Sequence, residues 1–349
     1  MTDRLDTILD HLAPLVAADT QNPPREITQD HPLLAAIRKG LPGFEIDVTD
    51  LGGGSLIIDA KRGAPSILFN VHMDTVPVAE GWSRDPHELH RGEDRATGLG
   101  ACDIKGAAAV LFALAGETDA PMRLVLTTDE EAGQSTCVRS FLEAPLSADL
   151  AVIAEPTEGR AVTQHRGIVS GTARFGGESG HASQGPGRSA VHAAVRWMAK
   201  CLDSDTAAEV RLNFGRIEGG VKPNMVAASA EVLYGFRPRP GLDHAPVLKE
   251  LRGHAPFADH ADRFIGPALP SSDEAKAAQK RAREAAEARG LTLGDPVDFW
   301  TEASLFAAAG VPAMVLGPGH IAQAHAADEW VAYDSLLATY DAYARIVNG

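Results

Sequence analysis

Four short apolar runs, each closing on acidic or imidazole side chains, constrain the fold of this chain more than any other feature. Ser66-Ile67-Leu68-Phe69-Asn70-Val71 runs into His72-Met73-Asp74, and Arg123-Leu124-Val125-Leu126-Thr127-Thr128 into Asp129-Glu130-Glu131. Leu150-Ala151-Val152-Ile153-Ala154 runs into Glu155-Pro156-Thr157, and Ala313-Met314-Val315-Leu316 into Gly317-Pro318-Gly319, with His325 a few residues on. Nearly continuous apolar strands are what a sheet buried on both faces requires. Helical stretches such as Lys105 to Ala115 and Ser135 to Leu142 lie between them. Strand alternating with helix predicts an α/β domain on a mostly parallel sheet. Ligands of such sheets bind beyond the carboxyl ends of the strands. One cleft is therefore expected to gather His72, Asp74, Glu130, Glu131, Glu155 and His325.

The chain has 349 residues, which suggests two domains. Leu5, Ile8, Leu9, Leu12, Leu15 and Val16 recur at helical spacing, and Thr20-Gln21-Asn22-Pro23-Pro24 stops that first helix. The middle of the chain changes character. Val169 to Phe175, Arg211 to Ile217 and Met225 to Phe236 read as strands, with helices at Ser189 to Leu202 and His244 to Leu251. The order β-α-β-β-α predicts a smaller two-layer α+β domain set into the larger one. Helical Asp273 to Arg289 and the apolar run Val297 to Trp300 are expected to return to the main sheet. The expected division is a catalytic domain over 1–164 and 273–349, and an inserted domain over 165–272.

Asp plus Glu number 47 against 32 Lys plus Arg, a net charge of −15, so nucleic acid is not expected as a partner. Cys102, Cys137 and Cys201 are scattered without a CxxC spacing. That excludes a disulfide framework and an all-cysteine metal site, and it fits a reducing compartment. The N-terminus shows no secretory pattern and no run long enough to span a bilayer, so no membrane partner is expected and a cytoplasmic location is.

Each acidic cluster admits two readings. In His72-Met73-Asp74 a histidine binds metal while a carboxylate two positions on, on the same face of a strand, orients its ring; otherwise the pair is a strand-end histidine and a turn-capping aspartate. Asp103, in Gly100-Ala101-Cys102-Asp103-Ile104-Lys105-Gly106, is either a helix N-cap or a carboxylate bridging two metals. Asp129-Glu130-Glu131 packs three carboxylates that repel unless neutralised. It is either a solvated turn or a metal ligand beside a general base. Glu155 and His325 are ligand candidates or plain loop residues. Cys102 has no evident base beside it and reads as a small buried filler. The set has the donor types of a paired metal site that zinc accepts without thiolates, and two such ions clamp a water and polarise a carbonyl.

As an ordered series from Thr20-Gln21-Asn22-Pro23-Pro24 to the His325 loop, these segments resemble the di-zinc amidase and carboxypeptidase family. That family is of the acetylornithine deacetylase, succinyl-diaminopimelate desuccinylase and carboxypeptidase G type. The resemblance spans essentially the whole chain. It implies a mostly parallel-sheet di-zinc hydrolase domain with an inserted ferredoxin-like lid and dimerisation domain. It implies two zinc ions per subunit, with cobalt an acceptable substitute. His72 and Glu155 would hold one ion, Glu131 and His325 the other, and Asp103 would bridge. Glu130 takes the place of the general base, and Asp74 that of the partner of His72. His181, in Gly180-His181-Ala182-Ser183, resembles a histidine that reaches across a homodimer to the substrate carbonyl. Asn224 and Arg237 resemble the pair that holds the substrate α-carboxylate, an arginine fork suiting that group bidentately. Gly317 and Gly319 are expected in the substrate-binding loop.

Within the family, Thr301-Glu302-Ala303 and Leu316-Gly317-Pro318-Gly319 resemble the acetylornithine deacetylase branch. The stretch from Asp298 to Phe306 is closer still to the N-acetyl-L-citrulline deacetylase branch. The implied reaction is hydrolysis of an N-acetyl-L-amino acid in arginine biosynthesis, by a homodimer joined through the lid. Desuccinylation or dipeptide hydrolysis by the same centre is the rival among enzymes. An inactive amino-acid-binding scaffold is the rival outside them.

Overall fold

The computed structural model describes residues 2–23 and 27–349. Pro24, the last residue of the segment read as stopping the first helix, lies outside the described residues. The chain divides into two compact units: residues 1–164, 277–296 and 301–349, and residues 165–276 and 297–300.

The first unit is built on a six-stranded sheet. Its strands lie in the spatial order Glu45–Asp50, Leu56–Arg62, Met122–Thr127, Ile67–His72, Leu150–Ile153, Ala313–Val315. The last four pair parallel, and the first two add an antiparallel edge. The parallel strands are the four apolar runs of the sequence, buried over almost their whole length. Helix Lys105–Glu117 is buried all round its first eleven residues. A helix apolar on every face belongs inside a layer, and its alanines keep it thin enough to pack between the helix Thr2–Ala17 and the sheet. The apolar face of Thr2–Ala17 puts Ile8, Leu12, Leu15 and Val16 into the same core.

The second unit is a βαββαβ module. Its strands Ile168–Gly176, Asn213–Gly219, Ser229–Phe236 and Asp259–Gly266 pair antiparallel, with Ile168–Gly176 between the third and fourth strands. Helices Ala190–Leu202 and His244–Gly253 supply the second layer. Ser189 and Asp243 cap their first turns, supplying acceptors to otherwise orphaned N–H groups. Trp197 centres this core against Phe175 and Tyr234, and its indole N–H donates to the Leu251 carbonyl at 2.8 Å.

One expectation fails. Val297 to Trp300 does not return to the main sheet. Val297 makes a single bridge to His165, and Asp298 is held by Arg166 and Arg211 at 3.0 Å each. Trp300 packs edge-on against Phe264 and donates to the Pro267 carbonyl. These partners all belong to the second unit, and they hold Val297, Asp298 and Trp300 there instead of on the main sheet.

Candidate metal centre

The first unit positions its acidic and imidazole groups by register. His72 is the last residue of its strand and lies level with Thr127 of the neighbour, while Asn70 pairs with Ile153 on the other side. Parallel neighbours end at one edge of the sheet, so residues just past each strand meet there. Asp103 arrives from the turn before helix Lys105–Glu117, and His325 from the loop after the short turn Ile321–Gln323.

Asp103 sits at the fork of this group. Its Oδ1 lies 3.0 Å from His72 Nε2, and its Oδ2 lies 3.4 Å from His325 Nε2. Glu155 Oε1 is 3.8 Å from His72 Nε2, and Glu131 Oε1 is 2.9 Å from His325 Nε2. The ligand atoms of His72, Asp103 and Glu131 all lie within 4.8 Å of one another. His72 is buried to 2 % side-chain exposure, whereas His325 is half exposed. Asp74 is fully buried, and its Oδ2 accepts the Glu131 N–H at 3.0 Å. Its Oδ1 is 3.6 Å from His72 Nδ1, beyond hydrogen-bonding range. The Asp74 main-chain carbonyl, at 3.0 Å, is the closer partner of that nitrogen. The orienting contact that the sequence suggested for the carboxylate thus runs through the carbonyl of the same residue.

Charge is concentrated here. Burial and the neighbouring Glu131 push the Glu130 carboxyl well above its ordinary range, and burial and Asp103 do the same to Glu155. Burial also raises Glu302, to about 8. Hydrogen bonds to Asp103 and Glu131 lift His325 to about 11. Burial opposes a charge on His72, yet its hydrogen bond to Asp103 and the nearby carboxylates of Asp74 and Glu155 hold it well above 6.5. No hydrogen bond or ion pair reaches the Glu130 carboxylate among the described residues. A buried carboxylate cluster facing two imidazoles, one carboxylate presenting an oxygen to each ring, has the donor chemistry of a divalent cation site.

Metal binding to this site is expected to strengthen as pH rises. His72 and His325 carry protons well above 6.5 in the metal-free protein, and ligation must displace them. Affinity then rises roughly tenfold per pH unit for each proton released. Metal-free stability runs the other way. The His325 ion pairs contribute fully below 6.5 and are lost as pH rises through about 11. Calorimetry in buffers of different ionisation enthalpy counts the protons, and an affinity flat across the neutral range contradicts the ligand assignment.

The remaining candidates fall into two groups. Gly317 and Gly319 are in the first unit, and their backbone groups are already engaged. The Gly317 N–H donates to Thr157 Oγ1 and the Gly319 N–H to Ser335 Oγ, while their carbonyls accept from Gly159 and Glu158. A Cβ at Gly317 would stand 2.7 Å from the Glu155 carbonyl oxygen, and one at Gly319, whose φ is +80°, would collide with Cys102 Sγ. What these glycines lend the site is close approach to Glu155 and Cys102. Cys102 itself is fully buried, and burial raises its thiol pKa.

His181, Asn224 and Arg237 are in the second unit. His181 and Met225 pair in a two-stranded ribbon, and the Asn224 carbonyl accepts from the Ala182 N–H, so His181 and Asn224 share one exposed tip. His181 Nδ1 lies 2.6 Å from Ser183 Oγ and 3.3 Å from the Ser183 main-chain nitrogen, contacts that fix the orientation of its ring. Arg237, at the end of Ser229–Phe236, is half-buried, and burial lowers its pKa. Its guanidinium has no carboxylate partner among the described residues.

Sequence reasoning passed over the supports of the centre. Thr20 Oγ1 donates to the Met73 carbonyl and Asn22 Nδ2 to the Thr128 carbonyl, both at 2.7 Å and buried. They tie two of the strand ends together. The signal was Thr20 and Asn22 in the segment before Pro23, read as a helix stop and as part of the resemblance but given no role at the site.

A sequence profile of the peptidase family M20/M25/M40 matches residues 68–349, and the chain belongs to that family. Over its full length it is 47 % identical to all of an N-acetyl-L-citrulline deacetylase from Xanthomonas campestris pv. campestris. It is 30 % identical to an acetylornithine deacetylase from Salmonella paratyphi B, with 88 % of this chain and 87 % of that one covered. Among solved structures, an M20 family metallo-carboxypeptidase from Sulfolobus solfataricus superposes with a TM-score of 0.75. That match covers 97 % of this chain and 98 % of the other at 15 % identity, a likeness of fold. No described helix is long and apolar enough to cross a membrane.

Proposed function

We propose that this protein is a zinc-dependent deacetylase of the arginine pathway, hydrolysing N-acetyl-L-citrulline to acetate and citrulline. The observation that carries the reading is end-to-end likeness to an N-acetyl-L-citrulline deacetylase. It is supported by the donor set around Asp103. His72 and Glu155 would hold one zinc and Glu131 and His325 the other, with Asp103 shared and cobalt an acceptable substitute. When bound, such a pair acidifies water and polarises a carbonyl.

The chain's own groups do the rest. Glu130 accepts a proton from the water that attacks the acetyl carbon. The carbonyl oxygen becomes an oxyanion, and His181 of the partner subunit donates its Nε2–H to it. As the C–N bond breaks, Glu130 returns the proton to the departing α-amine. Arg237 and Asn224 grip the α-carboxylate, and the inserted unit serves as lid and dimer contact.

Assays of the zinc-loaded protein on N-acetyl-L-citrulline, N-acetyl-L-ornithine and N-succinyl-diaminopimelate test the substrate. N-acetyl-L-citrulline is expected to lead in kcat/KM by at least about tenfold, the worth of a few well-placed contacts. A lead for either other compound moves the assignment to that substrate, and no turnover of any leaves the scaffold reading.

A further inference from the structure

The carboxylate of Glu329 holds no place in the reaction above, yet it is among the most committed acids in the protein. It is 2 % exposed. Its Oε1 accepts the N–H groups of Cys102 and Asp103 at 2.8 and 2.9 Å, and its Oε2 accepts that of Gly100 at 3.0 Å. Its own carbonyl accepts the Gly98 N–H at 2.9 Å. A run of main-chain N–H groups converging on one anion is a nest, and here the anion is supplied from more than two hundred residues further along the chain. Both oxygens are spent on N–H groups, so Glu329 is not itself placed as a ligand.

The geometry matters for what lies on either side of it. The turn whose N–H groups face Glu329 carries the Asp103 side chain, which faces His72 and His325. Four positions before Glu329, the same loop carries His325. Asp328 secures that loop independently, its Oδ1 accepting from the Ser83 N–H and hydroxyl. Glu329 therefore joins the loop of one metal-ligand candidate to the turn of another.

We infer that Glu329 is a positioning residue of the metal centre, clamping the Gly100–Asp103 turn to the His325 loop so that Asp103 is held between the two histidines. The inference rests on the metal reading of the site. A group one step removed from the ion is commonly worth 10–100-fold in affinity (roughly, from metal sites in general).

The test is metal titration of the full chain by chelator competition, with melting measured before and after loading. Parent protein is expected to bind zinc, and Glu329→Gln to bind it about 10–100-fold more weakly, because an amide NH2 would face N–H donors. Glu329→Asp keeps the charge and should recover part of the loss. A role in fold stability alone would lower metal-free melting and leave affinity untouched. Glu329→Gln binding within about threefold of parent overturns the clamp and leaves the metal reading standing. Parent protein that takes up no zinc overturns both. Where Glu329→Gln does not fold, Glu329→Asp decides, and parent-like affinity there again overturns the inference.

Discussion

Glu130→Gln is expected to lower kcat by about 10²–10⁴-fold, the usual worth of a positioned general base, or roughly 3–5 kcal/mol of barrier. Glutamine keeps the shape of the side chain and cannot hold and return a proton. Zinc content should not change, because Glu131 and not Glu130 lies against His325. Stability supplies the control. Burial and the neighbouring Glu131 and Glu155 penalise the charged form of Glu130. A raised carboxyl pKa means that ionisation costs stability as pH climbs above 4.5 toward the folded value. A neutral amide escapes that cost, so the metal-free variant should melt no lower than its parent near neutral pH. A collapse of turnover together with unchanged zinc and unchanged or higher melting identifies a chemical role. Full turnover with zinc bound would remove Glu130 from the reaction.

The strand ends were legible because two independent patterns coincide at each of them. An apolar run marks a buried parallel strand, and an acid or histidine immediately after it is costly there unless it has work to do. That is why His72, Glu131 and Glu155 could be named from spacing and resemblance, while Asp103, in its Gly-bounded turn, and His325, in the loop well past its strand, leaned on the resemblance. The structure brings all of them together. The edge strands Glu45–Asp50 and Asp259–Gly266 carried no such mark. Their residues are mostly exposed or half-buried, so alternation is masked by charge, and main-chain pairing rather than side-chain burial defines them. Val297 to Trp300 erred in the opposite direction: three of its residues are apolar, but a tryptophan anchored on Phe264 and an aspartate gripped by two arginines make it a strap in the second unit. The supports escaped for a simpler reason. Glu329 and Asn22 act on main-chain groups of residues 226 and 106 positions away, and nothing local announces a contact at that separation.

Asp103→Asn should remove metal binding more completely than any other single change at the site, because the one carboxylate faces both imidazoles. Asparagine retains one oxygen and turns an amide NH2 toward the other ring, so one histidine loses its acceptor and any cation held here would lose a carboxylate charge. Breaking a buried charge pair costs about 3–5 kcal/mol, or about 10²–10⁴-fold in affinity, and kcat/KM at limiting zinc should fall at least as far. The metal-free protein offers a second reading of the same event. The hydrogen bond to Asp103 is the largest contribution holding His325 near 11. Without it the imidazole should titrate lower, though still above its ordinary value because Glu131 Oε1 stays 2.9 Å away. Histidine resonances followed by NMR across the alkaline range report that shift directly. If His325 moves down while zinc affinity is unchanged, the cluster is an ion-pair network and Asp103 is no bridge. If both fall together, the aspartate that orders the two histidines in the metal-free protein is also one that would hold metal in the loaded one.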